Sequence, residues 1–156
     1  MDASNATAAL SRLSNCTDAV RRWFLDNDLL LNGDKSEAIV IGTAAQLKSV
    51  AAMKAVTVAG TSLSLSHELK SLGVTLDDHL RFDSHVRAVA KACTFHTRAL
   101  RHVRHMLSTE LAVTIGCSIV ASLLDYCNSL LYGAPSTSLD KLQRCQNMLA
   151  LSLIHI

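Results

Sequence analysis

The fold is decided by the stretch RFDSHVRAVAKACTFHTRALRHVRHML, residues 81–107, because the periodicity of the chain changes there. Within it, the side chains expected to face inward recur every three or four positions, as on one face of a helix. They are Val86, Val89, Cys93, His96, Leu100, Val103 and Leu107. Before about residue 82, short runs alternate apolar and polar residues, which is typical of strands. The sequence therefore predicts an α+β protein with a mixed front and an all-helical back.

The same reasoning divides the rest of the chain into elements. In the front they are a helix over about residues 7–26, a strand at 38–41, a connecting helix near 47–53, a hairpin at 56–65 and a strand carrying Leu72, Val74 and Leu76. Behind residue 107, Ser108 is predicted to cap a third helix. Gly133-Ala134-Pro135 is predicted to separate it from a fourth helix, which Ser138 opens.

Composition excludes several classes of protein. The net charge of +2 is too small to indicate a nucleic-acid binder by itself. The five cysteines are odd in number and widely spaced without CxxC, so no metal site is predicted. No run approaches about 18 apolar residues, so no membrane partner is expected. Free cysteines weakly favour a reducing, intracellular location, in the nucleus or the cytoplasm.

Four sequence blocks together resemble a known family. They are RWF at 22–24 with LLLNGDKSE at 29–37, KSLGVTLD at 70–77, SLLDYCNSLLYG at 122–133 and LQRCQN at 142–147. Blocks like these occur in the same order, with similar spacings, in reverse transcriptases of non-LTR (LINE-type) retrotransposons. The resemblance spans about residues 16–150.

The resemblance implies a fold and a parent activity. Residues 1–80 would be the C-terminal part of the reverse-transcriptase palm, with motifs D and E, and residues 81–150 a helical thumb. The parent would be an RNA-directed DNA polymerase of a transposable element, working on an RNA template and primer DNA. It would use Mg²⁺ (or Mn²⁺) and need the N-terminal fingers and palm of the same polypeptide.

This chain departs from the family at both ends. The family's metal-binding carboxylates lie upstream of the first helix, and two-metal chemistry requires them, so we expect this fragment to be inactive alone. The one adjacent acidic pair, Asp77-Asp78, falls where the family has a non-catalytic Asp at a strand end. The last six residues, LSLIHI at 151–156, are what the sequencing-adaptor string CTGTCTCTTATACACATC encodes. We expect them to be an adaptor-derived tail.

Two candidate site segments lie in the front half. Lys35 occupies the motif D lysine position in the resemblance, where it would act as general acid toward the pyrophosphate leaving group. The alternative is an exposed turn lysine that pairs with Asp34 or Glu37. Residues Lys70, Leu72 and Gly73 resemble the primer grip of the family. The alternative interpretation is that Gly73 is an ordinary glycine in a small sheet.

The back half carries the candidate nucleic-acid contacts, which are Arg87, Lys91, Arg98, Arg101 and Arg104. The first four are spaced by four, seven and three residues, so they share one helix face, and such a face can follow a phosphate backbone. The alternative is a solvated helix surface. A second candidate function is therefore a noncatalytic helical module that binds nucleic acid or protein.

Overall fold

The structure is a computed structural model that describes residues 3–154, with side chains for residues 8–153. The chain forms two compact units. Unit 1 comprises Met1–Ser71 and Leu76–Leu80, and unit 2 comprises Leu72–Thr75 and Arg81–Ile156. The fold is mixed and mostly helical, with two small sheets, which confirms the mixed class that the sequence predicts.

Unit 1 begins with helix α1, Ala3–Asp26. The helix ends where Asp28 adopts a positive φ of 57°, and the Asn27 side-chain amide donates to the carbonyl of Trp23 at 2.8 Å. Such a side chain satisfies one of the carbonyl groups left unpaired at a helix C-terminus. The predicted first helix is confirmed and starts earlier than expected.

A three-stranded sheet packs with α1. Its strands are β1 (Ala38–Ile39), β2 (Ala55–Val58) and β3 (Thr61–Ser66), in the order β1-β3-β2. Strands β2 and β3 are antiparallel and place Val56 opposite Leu63, both buried, whereas β1 runs parallel to β3. Ala59 and Gly60 turn with φ of 49° and 81°, the positive pair that a two-residue hairpin favours. The predicted hairpin is confirmed.

Between β1 and β2 lies the short helix α2, Ala44–Ser49. Thr43 and Gln46 form a capping box, in which the Thr43 hydroxyl accepts from the Gln46 amide and the Gln46 side chain accepts from the Thr43 amide. This arrangement satisfies two amide groups at the helix start. The predicted connecting helix is present, a few residues earlier than expected.

The predicted strand through Leu72, Val74 and Leu76 is wrong at its first residue. The chain instead forms a hairpin of β4 (Glu68–Ser71) and β5 (Val74–Asp77). Leu72 and Gly73 form its turn, with φ of 47° and 83°, and Leu72 is 87% exposed. The sequence looked like one continuous strand because a turn of two residues leaves the alternation of apolar and polar residues unchanged.

Unit 2 is helical beyond the turn. Its helices are α3 (Asp83–Val103), α4 (Thr109–Gly116), α5 (Ser122–Asp125) and α6 (Ser136–Ile154). The Ser108 hydroxyl accepts from the Leu111 amide at 3.2 Å, which confirms the predicted cap of α4. A π-helical turn at Cys117–Ala121 separates α4 from α5 within the predicted third helix.

The core of unit 2 lies between α3, α6 and the π-helical turn. Its buried members are Cys93, Leu100, Val120, Cys145 and Leu149. Burial raises the pKa of the Cys93 thiol to about 11, so this cysteine is a small apolar core residue. All five cysteines of the chain are free.

The predicted adaptor-derived tail, residues 151–156, lies only partly within the described residues. Helix α6 continues through Ile154, where the Ser152 hydroxyl donates to the carbonyl of Met148 at 2.7 Å. Residues 155–156 lie outside the described part. Within the described residues, no helix combines the length and apolar character needed to cross a membrane.

Candidate nucleic-acid interface

The outer face of α3 carries a basic stripe, which we define as Arg87, Lys91, Arg98 and Arg101. All four side chains are exposed. Their spacing places them within an arc of roughly 80° around the helix axis. No acidic residue occurs between positions 84 and 109. Among the side chains described, those of residues 8–153, the stripe makes no salt bridge. Its positive charge is therefore available to an anionic partner.

The inner face explains why the stripe points outward. Val86, Cys93 and Leu100 recur at seven-residue spacing and are buried against the rest of unit 2. An apolar stripe of this kind fixes the rotation of a surface helix, so the opposite face is left to solvent. The charge pattern thus follows from packing, and α3 presents it along about 21 Å of helix.

Arg104, the fifth basic residue predicted to contact nucleic acid, does not belong to the exposed stripe, and its nucleic-acid role stays a prediction. It is only 7% exposed. Its guanidinium donates to the carbonyl of Leu107 at 2.9 Å and to the Thr109 hydroxyl at 3.0 Å. Arg104 lies four residues after Leu100 and eleven after Cys93, so helical geometry turns it toward the core. It joins the end of α3 to the start of α4.

Lys35 lies in a single turn of 3-10 helix, Gly33–Lys35, and is exposed. The Asn32 side chain accepts from the Asp34 amide at 3.0 Å, and the Ser36 hydroxyl donates to the Asn32 carbonyl at 2.9 Å. These bonds fix the backbone that carries Lys35. Within the described side chains, Lys35 makes no salt bridge with Asp34 or with another acid.

Gly33 packs closely against the Thr61 side chain beneath this turn. A Cβ atom at this position would lie 2.8 Å from Cγ2 of Thr61 and 2.9 Å from its hydroxyl oxygen. Gly33 also lines a cavity of about 360 Å³, together with residues of α1 such as Arg21, the hairpin, and Ser36 from the connection between α1 and β1. The structure therefore gives the Lys35 turn a defined support within unit 1.

The predicted primer-grip residues lie on the second hairpin. Lys70 is exposed in β4, while Leu72 and Gly73 form the turn. The Tyr126 hydroxyl donates to the Leu72 carbonyl at 2.5 Å, and a Cβ atom at position 73 would lie 3.5 Å from the Tyr126 ring. The turn segment is thus held within unit 2 by an aromatic residue from the end of α5.

His85 is a second anchor of this segment, and no role was assigned to it from the sequence. Its ring is 5% exposed, and its Nδ1 accepts from the Thr75 amide at 3.5 Å. Burial lowers the pKa of His85, which favours the neutral ring that this bond requires. His85 precedes Val89, a residue of the inner face, by four positions, and this helical spacing could have predicted that His85 is buried.

Among the described residues, one group of metal-type ligands lies close together: Asp77, Asp78 and His79, with donor atoms within 4.8 Å. The Asp78 carboxylate is engaged by the rings of His67, at 2.9 Å, and His79. Their hydrogen bonds hold the pKa of Asp78 below its usual value. Mg²⁺ prefers oxygen ligands and water, so a carboxylate shared by two imidazoles does not fit a two-metal polymerase centre.

Comparison with known proteins gives one relevant similarity. The chain is 30% identical, over 143 residues, to the RNA-directed DNA polymerase from mobile element jockey of Drosophila funebris. This similarity supports a relationship to reverse transcriptases. It covers 88% of the chain, whereas the chain spans 15% of the length of that curated relative. No protein-family model matches the chain. No solved structure matches it.

Proposed function

We propose that this chain is a segment of the RNA-directed DNA polymerase of a non-LTR retrotransposon. Residues 1–80 would supply the C-terminal part of the palm, and residues 81–150 the helical thumb. Two observations support this assignment. The similarity to the jockey polymerase extends over 88% of the chain. The chain divides into two units at Leu80 and Arg81, apart from the turn segment Leu72–Thr75.

In this proposal the basic stripe holds the sugar–phosphate backbone of an RNA template paired with primer DNA. The observation that carries it is the one-sided exposure of four cations on α3 with no acid between positions 84 and 109. Phosphate contacts position a protein on a duplex without reading its bases, as a polymerase requires. Each cation that neutralises a phosphate also makes binding sensitive to salt.

The same proposal gives the front half supporting roles. Lys35 would lie beside the incoming nucleotide and donate a proton to the leaving pyrophosphate, since an exposed, unpaired ammonium on a fixed turn can reach a phosphate. The segment Lys70, Leu72 and Gly73 would support the primer 3′ end. Nucleotide addition would need Mg²⁺ (or Mn²⁺) bound by carboxylates in the rest of the polypeptide, so this chain alone would not catalyse it.

The test is a salt titration of binding to a fluorescein-labelled RNA–DNA duplex, followed by anisotropy. Arg98→Ala and Arg101→Ala should each weaken binding and lower the slope of log K against log salt by about 0.9. Arg144→Ala is the matched control, because it removes an exposed arginine of the same unit from α6. Unchanged slopes for both stripe variants would refute the assignment.

A second candidate is a noncatalytic helical module that binds protein. An open groove of about 500 Å³ favours it, lined between α6 and the segment 117–125 by Leu124, Leu139 and Leu142. This candidate predicts that neutral substitutions in the basic stripe leave nucleic-acid binding unchanged. The salt titration therefore distinguishes the two functions.

A further inference from the structure

An exposed aromatic ring borders the basic stripe. Phe95 lies near the middle of α3 and is 67% exposed, whereas Phe82 is 8% exposed and Phe24 is half-buried. Its spacing of four from Lys91 and three from Arg98 puts the ring on the same helix face as these cations. The Phe95 and His96 rings are nearly perpendicular, at 81°, with centroids 5.2 Å apart. Most of the Phe95 side chain is thus exposed to solvent beside positive charges.

Stability of the fold does not account for this placement. A phenylalanine left in water gives up the free energy of burying its ring, and the residues of the α3 inner face already fill the core. Contact with duplex phosphates needs cations but no ring. The bases of a paired duplex are stacked on one another, so they offer no free face along the helix.

Unpaired bases supply what the duplex lacks. A cationic groove combined with aromatic side chains is the usual means of binding single-stranded nucleic acid, because every base has a face that stacks on a ring. From Lys91 to Arg98 the helix rises about 10 Å, close to the length of three nucleotides of a stacked strand. The two cations can therefore contact phosphates at the two ends of a run of about three nucleotides, one base of which lies on Phe95.

We propose that the α3 face binds a nucleic-acid strand with unpaired bases, one of which stacks on Phe95 while Lys91 and Arg98 contact the flanking phosphates. This inference rests on the proposed nucleic-acid binding and adds a second ligand to it: the duplex is held through its phosphates alone, whereas an unpaired strand also gains the stacking contact with Phe95. It concerns the ring of Phe95, which the phosphate-binding proposal does not use.

The test compares two fluorescein-labelled probes by anisotropy: a single strand of roughly 12 nucleotides and the blunt duplex of the same sequence. Phe95→Ala should weaken binding of the single strand by roughly 5- to 150-fold and leave duplex binding within about twofold. Phe95→Trp should keep single-strand binding, and Phe95→Leu should lose it, because leucine retains apolar area without a π face. Leu111→Ala, which trims an exposed apolar side chain of α4, is the matched control.

The failures of the two proposals are distinguishable. If Phe95→Ala changes neither affinity or both equally, or if Phe95→Leu binds the single strand like the unaltered chain, stacking is refuted. Arg98→Ala weakens both probes in that case, and the phosphate-binding proposal stands. If the unaltered chain binds neither probe, both proposals fail together.

Discussion

Replacing Arg104 by alanine tests whether this buried cation, which directly follows α3, stabilises the fold, in contrast to the exposed cations of the helix. The Arg104 side chain is 7% exposed and donates two hydrogen bonds across the turn between α3 and α4. Arg101, three residues earlier, is exposed and lies in the basic stripe. The two substitutions remove the same side chain from the same helix end, so Arg101→Ala is the matched control.

The expected magnitude follows from these contacts. A hydrogen bond with a charged donor contributes about 1.5–3 kcal/mol. Part of the loss of two such bonds is offset, because burial of a cation without a carboxylate is costly and Nε has no partner among the described atoms. We expect Arg104→Ala to lower the free energy of unfolding by about 2–3 kcal/mol and Arg101→Ala by less than about 0.5 kcal/mol.

Urea unfolding followed by circular dichroism at the helical minimum measures the difference. With a slope of about 2 kcal/mol per molar, Arg104→Ala should lower the midpoint by roughly 1–1.5 M. At urea concentrations at which it is still folded, Arg104→Ala should bind nucleic acid with an unchanged slope of log K against log salt. Arg101→Ala should reduce that slope. An unchanged midpoint for Arg104→Ala, together with a slope reduced as in Arg101→Ala, would show that Arg104 is a surface phosphate contact and refute the reasoning.

Two further predictions concern the anchors of the two units. Burial lowers the pKa of His85 in the folded chain, so the unfolded chain binds a proton at His85 more tightly. The stability that neutral, buried His85 contributes is therefore fully present above about pH 6.5, the pKa of an exposed histidine, and is lost as the pH falls below that value. His85→Asn should flatten this part of the urea-midpoint profile against pH, and an identical profile would contradict the assignment. Gly33→Ala should destabilise by about 1–3 kcal/mol because its Cβ meets Thr61, and Thr61→Ala in the same chain should restore part of the loss; independent effects would contradict the contact.

Local pattern predicted the elements that one stretch of chain specifies by itself. The hairpin of β2 and β3, the Ser108 cap and the end of α1 follow from alternation, turn residues and capping chemistry. The outward direction of the basic stripe also followed from spacing, since the same helix carries both its apolar and its charged face.

The sequence pattern misled where two kinds of local structure produce the same alternation of residues. It also missed contacts between residues that lie far apart in the sequence. Leu72 keeps the parity of a strand although it forms a turn, and only its pairing geometry shows the difference. Arg104 continues the run of positive charges, but its position relative to Leu100 places it inside. His85 and Tyr126 hold the segment Leu72–Thr75 by hydrogen bonds to residues that lie 10 and 54 positions away in the sequence, respectively.

The sequence by itself determined the succession of strands and helices and the presence of an uninterrupted cationic face on α3, because both are repeats along one segment. Tertiary structure alone decided which of the five basic residues are exposed, that Phe95 is exposed beside them, and that His85 is buried. Burial depends on which segments pack together, and that packing is not encoded in the period of any single helix.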